Sequence, residues 1–149
     1  MENYIKGGML YGIYPSINLG KDEDHYWANA SIFERDRELF KKYIPIIKEI
    51  SRAGWEPIPY ANSDNSKIKL ERFGNSSSNK MYFVLYNSGL DIEDGKVSIE
   101  KFLLSNKKIV NLTEIIYSKN IKYNINNQLI ELNIRLNPED TAVYELDLI

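Results

Sequence analysis

Residues 35–59, RDRELFKKYIPIIKEISRAGWEPIP, carry the most regular helical pattern in the chain. Apolar side chains recur there at steps of three or four, and a second apolar row lies beside the first. The first row is Leu39, Tyr43, Ile46, Ile50 and Ala53, and the second is Phe40, Ile44 and Ile47. Charged side chains occupy most of the other positions. This wide apolar stripe predicts a long amphipathic helix that packs on a core.

The limits of this helix are indicated by residues that favour helix ends. Ser31 and Glu34 have the spacing of a capping box, and Asp36 offers a later start. Gly54 predicts the end of the helix, because glycine readily takes the left-handed conformation. Pro45 lacks an N–H group and crowds the preceding turn, so it predicts a kink there or a division into two helices.

Composition sets limits on the class of protein. The chain has 149 residues and a net charge of −2, which allows one ordinary core and does not indicate a nucleic-acid partner. It has no cysteine, which excludes disulfides, thiolate metal sites and cysteine nucleophiles. No apolar run has membrane-spanning length, and no signal peptide is recognisable. We therefore expect no membrane partner and a cytoplasmic location if Met1 is the true start, and leave the location open for a fragment.

After residue 60 the apolar pattern changes from helical to alternating, which indicates β-strands. The predicted strands cover residues 67–73, 81–86, 96–104, 109–117, 121–125, 128–136 and 141–148. Residues 81–86, MYFVLY, are apolar on both faces and predict a central strand. Asn126 and Asn127 suit a tight hairpin turn. About seven strands, with turns about every 8–12 residues, are typical of an antiparallel sandwich or barrel.

The predicted fold class is mainly β, because no helical pattern connects the strands as a parallel sheet would require. We expect an antiparallel β-sandwich of about seven strands, preceded by one long amphipathic helix and an irregular N-terminal segment. Within that segment, residues 9–13, MLYGI, predict a short buried strand. We predict two units, an N-terminal segment with the helix at 1–60 and a β-sandwich at 61–149.

Two stretches resemble the C-terminal end of a glycoside hydrolase of the (β/α)₈-barrel kind. The first is RDRELFKKYIPIIKEISRAGWEPIPYA, followed by IKLERFG and MYFVLYN, which is similar to a final barrel helix running into a β-sandwich. The second is NLTE at 111–114 together with residues 132–144, LNIRLNPEDTAVY. Many amylase-like and galactosidase-like enzymes end in a comparable sandwich. On this resemblance, residues 9–16 correspond to the last barrel strand and its loop.

The resemblance implies a parent enzyme that hydrolyses glycosidic bonds with two carboxylates. Those carboxylates would lie at the ends of earlier barrel strands, outside this chain. The implied role is that of a non-catalytic sandwich that stabilises the catalytic barrel, which would be its main partner. The resemblance implies no cofactor.

The resemblance also implies candidate carbohydrate-binding residues. His25, Tyr26 and Trp27 would lie in the loop after the eighth barrel strand, on the face where sugars bind. Aromatic rings can stack on the apolar faces of sugars. The alternative is that these side chains only pack locally and anchor the loop.

The remaining aromatic and charged residues of interest are better explained by structural roles than by ligand binding. Trp55 follows the helix end and predicts an anchor between helix and sandwich. Glu71 and Arg72 predict a salt bridge across that boundary. The tyrosines expected within strands are better explained by cross-strand packing than by a binding strip; they are Tyr82, Tyr86, Tyr117, Tyr123 and Tyr144.

Three other functions remain open from the sequence. A stand-alone carbohydrate-binding module would need exposed aromatic rings that share one face. A small enzyme would need the acids of residues 22–24 and His25 to meet another carboxylate in a pocket. An interaction domain would self-associate through an apolar surface left uncovered where a barrel is missing.

Overall fold

A computed structural model describes residues 1–17 and 26–149. These residues form two α-helices and ten strands, and all strand pairs are antiparallel. The helices are α1 (Glu2–Met9) and α2 (Ala30–Ala53). The strands are β1 (Trp55–Glu56), β2 (Ala61–Ser63), β3 (Ile68–Phe73), β4 (Lys80–Asn87), β5 (Glu93–Glu100), β6 (Ile109–Glu114), β7 (Lys119–Asn120), β8 (Asn124–Ile125), β9 (Leu129–Leu136) and β10 (Thr141–Leu148). The predicted class, a mainly β antiparallel sandwich after a long helix, is confirmed.

The strands form two sheets. Sheet A has six strands in the order β1-β3-β4-β10-β6-β7, and sheet B has four in the order β2-β5-β9-β8. The strand at each end of each sheet is only two or three residues long. Short end strands limit the exposed edges through which sheets of different molecules could pair.

The inner face of sheet A packs on sheet B and forms an almost entirely apolar core. Phe83 and Leu85 on β4, Val97 on β5 and Ile130 on β9 are fully buried within it. Burial of apolar surface between two sheets is the main stabilising contribution in a sandwich.

The outer face of sheet A is covered by the two helices, which makes a second core. Ile5 and Met9 of α1 and Tyr43, Ile47 and Ile50 of α2 are fully buried there. They pack on sheet residues that point away from the sandwich, which are Phe73, Tyr82, Val84 and Val143. Sheet A is therefore buried on both faces, and β4 is a central strand with two apolar faces, as predicted.

Helix α2 begins earlier than either predicted start. Asn29 is the N-cap, and its side-chain oxygen accepts a hydrogen bond from the N–H of Ser31 at 3.1 Å. The starts predicted at Ser31 and Asp36 are wrong, because the chain is already helical at Ala30. Gly54 ends the helix with φ of 85°, as predicted. Pro45 lies inside one unbroken helix, so the division into two helices is wrong.

The N-terminal segment is more regular than predicted. Residues 2–9 form α1, and the strand predicted at 9–13 is wrong, because Met9 is the last residue of that helix. The helix forms because Ile5 and Met9, four residues apart, both bury their side chains against α2 and sheet A. This packing outweighs the low helix propensity of Gly7 and Gly8. Residues 9–16 therefore contain no strand equivalent to a last barrel strand.

Most predicted strands are present, with changed limits. Strand β5 begins at Glu93, before the predicted start at residue 96, and residues Lys101–Leu104 form a 3₁₀ turn where the end of the strand was predicted. Strand β6 ends at Glu114, before the predicted end at residue 117. The predicted hairpin joins β8 and β9, with Asn126 bonded to Leu129 across the turn. The division at residue 60 stays a prediction.

Candidate functional site

An apolar cleft opens on the N-terminal part of the molecule, and we call it the head cleft. It has a volume of about 310 Å³. Its lining residues are Asn3, Tyr4, Gly7, Gly8, Ile13, Tyr14 and Pro15. Tyr4, Ile13 and Tyr14 are 53%, 57% and 46% exposed, which is unusual for such large apolar side chains.

The backbone of α1 forms one wall of the head cleft because two glycines stand there. A Cβ at Gly7 would meet no atom within 4 Å, so packing in the described residues does not require glycine at this position. A Cβ at Gly8 would lie 3.2 Å from the carbonyl oxygen of Ile13. A glycine inside a helix costs about 1 kcal/mol relative to alanine. Glycine at position 7 therefore lowers the stability of α1, and packing among the described residues does not explain why it is there.

The opposite wall is held in place by the turn after α1. Gly12 has φ of 62°, and a Cβ there would lie 2.9 Å from the ring of Phe73, so both conformation and space require glycine. Ser51 Oγ donates a hydrogen bond to the carbonyl oxygen of Gly12 at 2.5 Å. Tyr4 Oη donates to the carbonyl oxygen of Ser16 at 2.7 Å. These contacts hold the wall of the head cleft against α2 and sheet A.

A buried ion pair fixes α1 to the turn between β9 and β10. Lys6 Nζ lies 2.8 Å from Asp140 Oδ1 and 3.5 Å from Glu2 Oε1. Thr141 Oγ1 donates to the carbonyl oxygen of Lys6 at 2.8 Å, and Tyr43 donates to Glu2. Burial alone would lower the pKa of Lys6, but the hydrogen bond and charge of Asp140 outweigh it and raise that pKa. Lys6 is therefore held in its charged form.

The predicted carbohydrate-binding residues are only partly within the described structure. His25 and residues 22–24 lie outside the described residues. Tyr26 begins a short 3₁₀ turn (Tyr26–Ala28) and is 1% exposed, and its hydroxyl donates to Asp36 Oδ2 at 3.0 Å. Burial and this hydrogen bond raise the pKa of Tyr26 to about 12. Its ring is therefore a packed side chain in this structure.

Trp27 has a different environment from Tyr26. Its side chain is 59% exposed, and its ring lies 4.9 Å from that of Tyr26 and 5.7 Å from that of Phe40, measured between ring centres. Tyr26 and Trp27 are thus neighbours, with one ring buried and one presented to solvent. Sugar binding by His25, Tyr26 and Trp27 stays a prediction.

The pair predicted between Glu71 and Arg72 is wrong, because neighbouring residues on a strand point to opposite faces. Glu71 instead accepts a hydrogen bond from Trp55 Nε1 at 2.8 Å, which connects β1 to β3. Arg72 is buried and lies 3.4 Å from Glu56. Trp55, directly after the end of α2, is 55% exposed and therefore anchors only through one edge.

The tyrosines predicted within strands differ in their positions. Tyr82 and Tyr144 lie in strands and are buried, at 2% and 5% exposure, and Tyr86, also in a strand, is partly buried. Tyr117 and Tyr123 lie outside the strands. These positions favour packing and give no row of exposed rings along a strand.

A second cleft lies between the sheets, and we call it the edge cleft. Its volume is about 490 Å³. Its lining includes Glu114, Tyr117, Lys119, Asp140 and Tyr144, together with residues 133–137. Glu114 accepts hydrogen bonds from the N–H groups of Ile116, Tyr117 and Val143 at 2.9–3.2 Å. Asp140 is paired with Lys6, so both carboxylates of this cleft already have partners.

Among residues 1–17 and 26–149 there is neither a grouped set of metal ligands nor a helix able to span a membrane. Within these ranges, no three histidine, cysteine, aspartate or glutamate side chains are grouped as a metal site would require. Neither helix within them combines the length and the apolar character that crossing a membrane would require.

Sequence reasoning missed the head cleft. The signal was available in the spacing of Ile5 and Met9, which places Gly7, Gly8 and Tyr4 away from the buried side of a helix. Because glycine has a low helix propensity, the two consecutive glycines made this helix hard to recognise in the sequence.

Comparisons with known proteins show the fold. No protein-family model and no curated protein sequence matches the chain. The neighbours among solved structures are glycoside hydrolases, matched at low identity. α-Galactosidase I from Mortierella vinacea is 15% identical, with a TM-score of 0.51, over 97% of this chain and 34% of that one. α-L-Fucosidase isoenzyme 2 from Paenibacillus thiaminolyticus is 7% identical, with a TM-score of 0.46, over 83% and 19%.

A third neighbour is the glycoside hydrolase family 30 subfamily 8 xylanase Xyn30A from Clostridium acetobutylicum. It is 13% identical, with a TM-score of 0.43, over 71% of this chain and 28% of that one. The chain spans between 14% and 34% of the length of the solved structures to which it is similar. At 15% identity, the likeness to the galactosidase concerns the fold alone.

Proposed function

We propose that this chain is a non-catalytic part of a glycoside hydrolase, in which the sandwich and its helices stabilise a catalytic barrel. The observation that carries the proposal is the head cleft, an apolar surface beside α1 and the turn after it that the described residues leave uncovered. The galactosidase of similar architecture is about three times as long as the matched segment, with 34% of its length covered. On this proposal the catalytic carboxylates belong to the barrel.

The distribution of exposed apolar side chains along the chain supports a missing neighbour of its N-terminal part. Six of the sixteen exposed large apolar side chains in the described part of the chain belong to the nineteen described residues before Ala28. They are Met1, Tyr4, Tyr11, Ile13, Tyr14 and Trp27. Clustered exposed apolar residues are typical of a surface that another protein surface covers.

The chemistry of the clefts supports a non-catalytic role. Glycoside hydrolysis requires one carboxyl group that donates a proton and one carboxylate that acts as base or nucleophile. In the edge cleft, Glu114 is bound by three main-chain N–H groups and Asp140 by Lys6. Neither is free for proton transfer.

A second function, carbohydrate binding, is favoured by one observation. The Trp27 side chain is 59% exposed, and its ring contacts the ring of Tyr26 edge to face and the tilted ring of Phe40. An exposed indole ring with such contacts is suited to stack on a sugar, with His25 as a candidate neighbour.

The test is an assay of the purified chain together with a sugar titration. On the accessory-domain proposal, the chain hydrolyses no 4-nitrophenyl glycoside, and no amide signal in its ¹⁵N spectrum shifts with oligosaccharides at millimolar concentration. Hydrolysis that co-purifies with the folded chain would contradict a non-catalytic role. Saturable shifts at Tyr26 and Trp27, absent in a Trp27→Ala variant, would instead make the chain a carbohydrate-binding module.

A further inference from the structure

The edge of β9 is open over its C-terminal half. Strand β8 pairs with β9 only at Glu131 and Ile130. Residues 132–136 therefore have β5 on one side and, among the described residues, no strand on the other. At about 3.3 Å per residue, this open stretch is about 13 Å long. The edge cleft lies along it.

The main-chain groups of two residues point from β9 into this open side. Both the N–H and the C=O of Leu129 are bonded to Asn126, on the side of β8. Main-chain groups alternate between the two sides of a strand, so those of Asn133 and Arg135 also point away from β5. They have no main-chain partner in the part of the chain that the structure describes. Outward N–H and C=O groups on two alternate residues match the hydrogen-bonding pattern of an additional strand, either antiparallel or parallel.

A buried side chain of the neighbouring sheet also lacks a partner in the edge cleft. Tyr144 lines the cleft and is 5% exposed, and its hydroxyl has no hydrogen-bond partner among the described residues. Arg72 Nε is the one fully buried side-chain polar atom without a partner in those residues. The Tyr144 hydroxyl must therefore keep contact with the cleft. The hydroxyl is therefore a hydrogen-bonding group that the edge cleft presents to a bound segment.

Two lysines near the cleft have no carboxylate partner among the described residues, whereas the carboxylate of Glu114 inside it accepts main-chain N–H groups. Lys119 lies 5.5 Å from the ring centre of Tyr117 and forms no ion pair with a described carboxylate. Lys122, which lines the adjoining depression with Asn133, likewise has no carboxylate partner within the described ranges. These cations would favour acidic groups at the ends of a bound segment.

We propose that the edge cleft binds an extended peptide segment of another polypeptide, which adds a strand to β9. The segment bonds to the main chain of Asn133 and Arg135, and its residue opposite Ile134 points inward to the Tyr144 hydroxyl. A short polar side chain at that position, such as threonine, can accept a hydrogen bond from the hydroxyl. Main-chain pairing provides affinity, and the inward pocket provides selectivity. This proposal is independent of the head cleft and of the proposed function.

The probe is a set of acetylated heptapeptides with glutamate at both ends, alternating threonine and valine between, and alanine, threonine or leucine at the centre. Binding to the full chain is measured from the amide signals of Asn133 and Arg135 in the ¹⁵N spectrum. We expect saturable downfield shifts of both amides, and tighter binding for the threonine-centred peptide. The same peptide with N-methyl groups on its bonding edge is the control, and it should not bind.

Two substitutions at position 135 distinguish the contribution of the main chain to binding from that of the side chain. Arg135→Pro removes the outward N–H but no bond to β5, so the fold should persist. We expect it to weaken peptide binding about tenfold, since one main-chain hydrogen bond and its geometry are lost. Arg135→Ala keeps the N–H and loses only the pair with Asp94, so its affinity should remain close to that of the original chain. Tyr144→Phe should remove the preference for threonine.

Several results would overturn the proposal. One is equal affinity of the Arg135→Pro and Arg135→Ala variants, or of the N-methylated peptide. Another is the absence of any shift with the whole set at millimolar concentration. A shift of the same amides with protein concentration alone would assign the edge to a second copy of the chain.

Discussion

The two faces of sheet A are covered in different ways. On the inner face, sheet B provides an apolar core that includes residues from Ile68 to Leu148, and the buried polar side chains Asn87 and Glu114 lie on the same face of sheet A. On the outer face, two helices provide a smaller core, and polar contacts such as Lys6 with Asp140 complete it. Tyr4, Tyr11 and Tyr14, within or after α1, are exposed. The difference indicates that the face-to-face packing of the two sheets is complete, whereas the helical layer is only partly covered.

The largest expected effect distinguishes the two cores. Phe83 is fully buried between the sheets, so Phe83→Ala should lower the free energy of unfolding by about 3–5 kcal/mol and affect the whole chain. Ile5→Ala, at an equally buried position of the outer core, should release α1 while the sandwich persists. Urea unfolding followed by circular dichroism and by residue-resolved amide exchange checks both. Loss of the sandwich in Ile5→Ala would contradict an independent inner core.

A somewhat smaller effect is expected for the ion pair below α1. Asp140→Asn leaves the Lys6 ammonium largely buried beside a neutral amide, with only Glu2 as a nearby carboxylate. We expect a loss of about 3 kcal/mol, at the low end for a broken buried pair. It should appear as faster amide exchange in α1. Arg135→Ala, which removes an exposed pair with Asp94, is the control and should change stability by about 0–1 kcal/mol. Equal effects of the two variants would show that the Lys6 pair is not structural.

Two glycines of the helical layer should respond in opposite directions. Gly12→Ala forces alanine into a left-handed conformation and against the Phe73 ring, so it should destabilise the chain by about 1–2 kcal/mol. Gly7→Ala adds a methyl group in open space within a helix and should stabilise the chain by up to about 1 kcal/mol. Thermal unfolding of both variants measures the difference. Destabilisation by Gly7→Ala would mean that the head cleft is not an open surface in the isolated chain.

The smallest effect concerns the start of α2. Asn29→Ala removes the side-chain oxygen that caps the first turn and should lower stability by about 1 kcal/mol. Ser31→Ala should have a smaller effect, because it removes only an exposed hydrogen bond from Ser31 Oγ to the Asn29 side chain. If the Ser31 variant were the more damaging of the two in urea unfolding, the helix would begin at the capping box that the sequence predicts.

The strands and helix ends differ in how well the sequence predicts them. Residues 68–73 and 141–148 were predicted closely, because alternating β-branched and aromatic residues reflect a sheet with buried faces. The beginning of β5 was missed, since Glu93, Asp94 and Gly95 are poor strand formers that pair only because β9 lies beside them. Helix α1 was missed because long-range packing of two side chains decides it.

The candidate surfaces were harder to predict than the fold. The head cleft depends on a turn at Gly12 that packs on Phe73, which is distant in sequence. The edge cleft depends on where β8 stops pairing with β9 and on the direction of the Tyr144 side chain. Neither property follows from local pattern. The sequence indicates that Tyr26 and Trp27 are of interest. Their unequal burial could not be predicted, because the two residues are adjacent in sequence and only packing against α2 distinguishes them.

The most direct test of the account is photo-crosslinking in cells of the source organism. Tyr14→p-benzoylphenylalanine places the reactive group in the head cleft, and the same change at Tyr117, which is similarly exposed, places it in the edge cleft. We predict that position 14, and not position 117, crosslinks to a (β/α)₈ glycosidase barrel, identified by mass spectrometry. Crosslinking of such a barrel equally from both positions, or of no barrel from position 14, would contradict the claim that the helical layer is the covered side.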